Sequence, residues 1–184
     1  MLRALLRRSI DAMEDKYAYD AGYMREVVAV SPWTFLKFGL VATLGRGKRA
    51  PAEATTAAGL VGTLAEDCGP CTQIGVDIAA EHGVSPDVLR AILADDEAAM
   101  GEAAALAWRF ARASLARDMP TCDPLRDEIV RRWGAGGLVD IALALTTARM
   151  YPTLKYAMGH GKTCSRVMVA GEPAAIARPL DLAA

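Results

Sequence analysis

Histidine and aromatic side chains are scarce in this chain. Two histidines occur in 184 residues, and aromatics make up 6%. Sheet-rich cores draw on aromatic and β-branched residues, while alanine favours helix. Few aromatics beside abundant alanine therefore point to an all-α protein. An excess of one charge is also lacking: 21 basic residues face 22 acidic ones, for a net charge of −1. Arg7-Arg8 and Arg131-Arg132 are isolated pairs, so no nucleic-acid partner is expected. There is no unbroken hydrophobic run. The most apolar stretch, Val27 to Leu44, is interrupted by Pro32 and Lys37, so no membrane partner is expected either. The opening Met-Leu-Arg-Ala-Leu-Leu-Arg-Arg sets its arginines among leucines with no apolar run after them, which is not a signal-peptide pattern. A cytoplasmic, reducing location is the expectation. In that setting a close pair of cysteines is more often catalytic or metal-binding than a structural staple.

What is present is enough apolar material, 53%, for a core. Leu2, Leu5, Leu6, Ile10, Met13 and Tyr17 recur at three and four residues and predict an amphipathic helix over 2–19. A second segment follows over 20–30. Ser31-Pro32 then signals a third helix, with Ser as cap and Pro in the first turn. The loop from Gly45 to Pro51 is the strongest internal boundary. Beyond it, helices are expected over 52–66, from Pro70 to about Gly83, over 86–93, over 96–117, over 125–133 from an Asp123-Pro124 start, and over 138–158, with Gly134 to Gly137 as a turn and Pro152 as a kink or restart. Val167-Met168-Val169 is the nearest approach to a strand. The chain reads as an N-terminal helical extension packed on the core (1–50), a main domain (51–170) and a C-terminal tail (171–184). Val27, Trp33, Phe35, Phe38, Leu40 and Val41 give the extension enough apolar surface to predict that it also helps bury a subunit interface.

Cys68-Gly69-Pro70-Cys71 carries the chemistry. Two thiols at this spacing can close into a disulfide and reopen, moving two electrons. Only a thiolate attacks, so one thiol must be more acidic than usual. Pro70 places the motif at a helix N-terminus, with Cys68 near the cap and Cys71 in the first turn, where free N–H groups and the dipole favour an anion. Glu66 and Asp67 oppose that anion by like charge, yet either could accept or return a proton.

Other readings of the pair are weaker. A thioredoxin-type site needs an apolar strand before the motif, and here Thr-Leu-Ala-Glu-Asp ends a helical pattern. A zinc set of Cys68-x2-Cys71 with His160-x3-Cys164 has admissible spacing. However, structural zinc usually staples core-poor segments, so neither metal nor cofactor is expected. Buried, inert packing remains the plainest role for Cys122 and Cys164 taken singly.

An Ala-rich helix leading into CxxC, a helix Thr72-Gln-Ile-Gly-Val-Asp-Ile-Ala-Ala-Glu-His82, Gly83, a short Ser-Pro-Asp-Val-Leu-Arg helix and a long Ala-rich helix follow one another here. In this order, residues 52–117 resemble the carboxymuconolactone decarboxylase-like domain of the alkylhydroperoxidase D superfamily, and Leu138 to Met158 is similar to its final core helix. The resemblance implies an alkylhydroperoxidase D-like helical bundle that forms dimers, trimers or hexamers. It also implies a peroxide or disulfide substrate with a thiol electron donor, and Cys71 as nucleophile with Cys68 as resolving partner. The chain departs from the family where a His stands four residues after the second Cys, since Gly75 is there, and a glycine in that place should leave space beside Cys71. It departs again where a Glu stands about three turns before the motif, since Thr56 is there and Glu53 lies a turn further off. His82 lies on the same helix face as Cys71 but roughly 16 Å along it. Glu66, Asp67, Asp77 and His160 remain as proton carriers. The expectation is a CxxC-dependent thiol–disulfide oxidoreductase with weak hydroperoxidase activity. The alternatives are a non-catalytic, redox-responsive helical oligomer and a family member with lactone decarboxylase-type chemistry.

Overall fold

Alanine and glycine, more than large apolar side chains, set how closely the helices meet. A computed structural model of the chain describes residues 1–43, 47–161 and 166–177. Cys164, Gly45, Arg46 and the end of the expected tail lie outside the described residues. Among the described residues the fold is all-α: α1 (Leu2–Tyr17), α2 (Gly22–Val30), α3 (Pro32–Ala42), α4 (Ala52–Ala65), α5 (Gly69–Glu81), α6 (Pro86–Leu93), α7 (Glu102–Ala116) and α8 (Met119–Ala157), with one small hairpin of β1 (Met168–Val169) and β2 (Glu172–Pro173). No helix among them is long and apolar enough to cross a membrane.

Helix α4 is the centre of the main core and packs against α5, α7 and α8. Ala54, Ala57 and Ala58 are fully buried on it, with Leu60 and Val61 beside them. At Gly62 the approach to α8 is so close that a Cβ would sit 2.8 Å from the Leu145 carbonyl oxygen. Ala104, Ala107 and Ala111 supply the matching small face of α7. Large side chains such as Leu89, Ile92, Leu93 and Ile129 fill the remaining space. Each contributes about 1.5–3 kcal/mol on burial.

The cap signals act as their chemistry requires. Ser31 Oγ accepts from the Thr34 N–H at 3.2 Å, and Ser85 Oγ accepts from the Val88 N–H at 3.3 Å. Three expected boundaries are corrected. The helix expected over 96–117 begins only at Glu102. Asp95 (φ 56°) and Gly101 (φ 75°) hold the preceding segment in a turn. There the Asp95 carboxylate accepts from Trp108 Nε1 at 3.2 Å and pairs with Arg112 at 2.7 Å. The Asp123-Pro124 start is also wrong. Asp118 caps α8 five residues earlier, accepting from the Thr121 N–H at 3.2 Å, and Pro120 occupies the first turn, where a missing N–H removes no intrahelical bond. The expected turn from Gly134 to Gly137 shrinks to one non-helical residue, Gly134 (φ 71°), and α8 runs on through Pro152 without a restart. Val167 to Val169 does contain a strand, which pairs antiparallel with Glu172–Pro173. Gln73 clamps that hairpin to α5: its Oε1 accepts from the Met168 N–H at 2.6 Å and its Nε2 donates to the Met168 carbonyl at 3.1 Å.

A second core lies beside the first. Leu6 and Ile10 of α1, Tyr19, Ala21, and Tyr23, Met24 and Val28 of α2 pack around Cys68 and Cys71. Tyr151, Leu154 and Met158, at the end of α8, close the cluster from the other side. The link between α1 and α2 is tied by one carboxylate. Glu14 Oε1 accepts from the Ala21 N–H at 2.6 Å and from Arg25 Nη1 at 2.6 Å, and Arg25 Nη2 also pairs with Glu14. Lys16 Nζ joins α1 to Glu81 of α5 at 2.8 Å. In contrast α3 has no buried residue, and Trp33 and Leu40 are about two-thirds exposed at 67% and 66%.

The Arg25 guanidinium holds the Glu14 carboxyl below its ordinary 4.5. A depressed carboxylate adds stability above its unfolded pKa and loses it as pH falls through the folded one. Glu14→Gln should therefore destabilise the protein by about 1 kcal/mol at neutral pH. The gap between variant and wild type should begin to narrow below about pH 4.5 and close only as pH falls through the lower folded pKa. Urea unfolding across pH 3–7 measures both, and a pH-independent gap would rule out this pair as the tie.

Candidate functional site

The four residues of the CxxC fall where α4 ends and α5 begins. Leu64, Ala65 and Glu66 close α4. Asp67 then turns the chain in the left-handed region (φ 50°), and Cys68 occupies the cap position of α5. Gly69 and Pro70 form the first turn and bring Cys71 one turn above Cys68, with their Cα atoms 5.3 Å apart. The two cysteines are joined as a disulfide, an arrangement compatible with redox chemistry. Thr72 braces the turn from inside. Its N–H donates to the Cys68 carbonyl at 2.9 Å, and its hydroxyl lies 3.0 Å from that carbonyl and 3.2 Å from the Thr63 hydroxyl.

Both cysteines are buried, Cys68 at 3% and Cys71 at 8% exposure. Helices α1 and α2 form the roof over them. The surroundings are apolar, with one polar side-chain contact to the sulfurs among the described residues: the Tyr19 hydroxyl lies 3.9 Å from Cys71 Sγ. Tyr19 in turn lies 3.2 Å from the Tyr23 hydroxyl, and the Lys155 ammonium stands 5.1 Å from the centre of its ring. Burial pushes both phenols above their ordinary range. Burial also lowers the Lys155 ammonium, against which the Asp20 charge works. None of these three residues stands out in the sequence. Tyr19 and Tyr23 could have been flagged only as aromatics at i,i+4 spacing, and Lys155 is one of many lysines and arginines.

The carboxylates flanking the motif point elsewhere. Glu66 Oε1 accepts from Arg149 Nε at 2.6 Å, and Oε2 lies 3.3 Å from the Thr153 hydroxyl, so Glu66 faces α8. Asp67 is exposed, and its carbonyl accepts from the Tyr156 hydroxyl at 2.8 Å. Neither carboxylate bonds to a sulfur of the pair. Asp77 accepts from Gln73 Nε2 at 2.8 Å, and burial raises its carboxyl above the ordinary value. His82 Nδ1 lies 2.7 Å from the Ile78 carbonyl, and His160 Nε2 pairs with Glu26 at 2.8 Å. Among the described residues no cluster of His, Cys, Asp and Glu is arranged to hold a metal ion. Cys122 is buried and free, with its sulfur 3.3 Å from the Ser114 hydroxyl.

Gly75 was expected to leave room beside Cys71. Instead its Cα faces α4, and a Cβ there would meet Leu60 Cδ2 at 3.1 Å. Leu60 is 2% exposed, so a larger residue at 75 must displace a core side chain.

Compared with models of known families, with curated proteins and with solved structures, the chain matches none.

A disulfide this well covered meets a reductant only when the roof opens, so its reduction rate reports roof stability. Ile10, 2% exposed within the roof, is the lever. Ile10→Ala leaves a cavity costing about 2–5 kcal/mol. It should speed reduction of Cys68–Cys71 by phosphine by at least about tenfold. Thiol release followed by mass spectrometry checks this. An unchanged rate, with the variant still folded, would mean that reductant enters by another route.

Proposed function

We propose that this protein is a thiol–disulfide oxidoreductase of the alkylhydroperoxidase D-like type, with Cys68 and Cys71 as its redox pair. The observation that carries the reading is the disulfide itself, closed across the first turn of a helix whose N-terminus favours a thiolate on reduction. The order of helices around it supports the family resemblance drawn from the sequence. Exchange proceeds by attack of Cys71 thiolate on a substrate disulfide, which breaks that S–S bond and releases one substrate thiolate. Cys68 thiolate then attacks Cys71 Sγ, which re-forms the protein disulfide and releases the second. Protons lost by the two cysteines end on the two product thiols, and a thiol donor returns the protein to the dithiol.

In this reading hydroperoxide turnover is weak. Peroxide reduction needs an acid for the departing alkoxide and a base for the attacking thiol. The place of the family's histidine is held by Gly75. Glu66, Asp77 and His160 are engaged with other partners, and the Asp67 carboxylate is exposed. The reduced protein should therefore reduce a small disulfide at a rate at least about a hundredfold above its rate with an alkyl hydroperoxide, the usual contribution of a general base being about 10²–10⁴-fold. Comparable rates, or peroxide faster, would overturn this. Gly75→His should not rescue peroxide turnover on its own, because the ring must first displace Leu60.

Burial of both cysteines favours a second reading, in which the pair is a redox-responsive staple that sets the stability of the roof and turns nothing over. Stoichiometric oxidation without multiple turnovers in the presence of excess thiol donor would select it. Either reading includes self-association, supported by the apolar, unburied face of α3 with Trp33 and Leu40. Light scattering at micromolar concentration should give a dimer or larger, shifted toward monomer by Trp33→Glu with Leu40→Glu. A monomeric wild type would remove the assembly from the proposal.

A further inference from the structure

Lys155 is 2% exposed and makes no ion pair with a described residue. A buried ammonium needs an anion or a dense set of acceptors to offset its lost hydration. It stands instead over the face of Tyr19, 5.1 Å from the ring centre. The hydroxyl of that same residue lies 3.9 Å from Cys71 Sγ and donates to the Tyr23 hydroxyl at 3.2 Å. Tyr151 and Asp20 are further ionisable groups around the cluster. The His160 ring lies 6.2 Å from the Tyr23 ring and its Nε2 meets Glu26, while Glu14 and Arg25 pair with each other at the link between α1 and α2. Asp20 is exposed, so water screens its charge. A disulfide is neutral and, among the described residues, leaves this cation without a buried counter-charge. Reduction creates a thiolate, which supplies one.

We propose that Tyr19, with Lys155 behind its ring and Tyr23 behind its hydroxyl, is the thiolate-holding site of Cys71, and that this makes the Cys68–Cys71 disulfide an acceptor of electrons from substrate dithiols. The inference rests on the redox-pair reading above and gives it a direction. One thiolate of the substrate attacks Cys71 Sγ. The bond between Cys68 and Cys71 breaks, and Cys68 leaves. The second substrate thiolate attacks the substrate sulfur bound to Cys71, and Cys71 leaves as a thiolate, toward which the Tyr19 O–H turns from Tyr23. Two electrons pass to the protein, the substrate leaves as a disulfide, and its two thiol protons go to solvent and to Cys68. Attack requires the roof to open. The equilibrium is nonetheless set with the roof closed, because that is where the thiolate is held. Tyr19 and Lys155 act as positioning residues: they hold the leaving sulfur's charge and form no bond to substrate. High phenol pKa values suit the role, since both hydroxyls stay protonated as donors over the physiological range.

The test equilibrates the full chain with reduced and oxidised glutathione and reads the oxidised fraction by mass spectrometry. Wild type should favour the dithiol relative to Tyr19→Phe and Lys155→Met. Each variant should shift the equilibrium toward the disulfide by about tenfold, which is about 30 mV. In a Cys68→Ser background, thiolate absorbance should place the Cys71 pKa about one unit higher with Tyr19→Phe than without it. Tyr19→Phe keeps the ring and its packing, so it decides the matter if Lys155→Met does not fold. A merely structural tyrosine would move neither the equilibrium nor the thiol pKa. If wild type interconverts between dithiol and disulfide while both quantities stay unchanged in Tyr19→Phe, the thiolate site is wrong and the redox pair stands. If the native wild-type disulfide cannot be reduced and re-formed, the redox pair itself falls.

Discussion

The close seam between α4 and α8 is the constraint from which the site follows. At Gly62 the two helices approach until a single added carbon would strike the Leu145 carbonyl. That contact fixes α4 along and around its axis, four residues before Glu66. Glu66 is then pinned to Arg149, one turn beyond Leu145 on α8. With both ends of this stretch held, α4 has to stop at Ala65. The chain reverses through the left-handed Asp67, and Cys68 falls at the cap of α5. The cysteine pair is thus placed by a glycine less than two turns away and by one ion pair.

Electrostatically the CxxC chamber and its rim are opposites. The rim carries satisfied ion pairs, Lys16–Glu81, Glu14–Arg25 and Glu26–His160, which hold the roof but stay within reach of water. Such partly exposed pairs contribute little singly and weaken with salt. Among the described residues the interior carries apolar side chains, the hydroxyl-bearing rings of Tyr19, Tyr23 and Tyr151, and the Lys155 cation. Roof stability therefore comes mostly from burial of Leu6, Ile10, Tyr23, Met24 and Val28. The rim chiefly sets register.

Helix caps and the CxxC were legible in the sequence because they are local. Ser31-Pro32, Ser85-Pro86 and Pro70 act within one turn, and each begins a helix where its chemistry places it. The errors came where two local signals competed. Asp118 and Asp123 are both capping residues followed by a proline, and only the fold chooses Asp118. Alanines over 98–105 read as helix, yet Asp95 and Gly101, at positive φ, keep the part before Glu102 out of it. The roof over the cysteines was legible as apolar surface, but not its target. Tyr19, Tyr23 and Lys155 lie 49, 45 and 87 residues from Cys68 in the chain, and only tertiary packing brings such separations together. Gly75 misled for a related reason: helix spacing set it one turn beyond Cys71, and nothing local told that Leu60 faces it.

The absence of a histidine beside Cys71 has a consequence in such a chamber. An imidazole can take a proton from a thiol near neutral pH and return it. A buried phenol cannot, since its own proton is held more tightly still. Phenols can therefore stabilise a thiolate once formed, but they cannot form it. The proton has to leave to water, and water reaches the sulfur only when α1 and α2 lift. Reactions that need a resident acid and base in one closed encounter are penalised by this arrangement. Thiol exchange is not, because the partners arrive as thiolates and the leaving sulfur needs only a donor to rest against. The same covering that makes the site slow to reach makes the charge left on Cys71, once the roof closes, worth more than it would be in water.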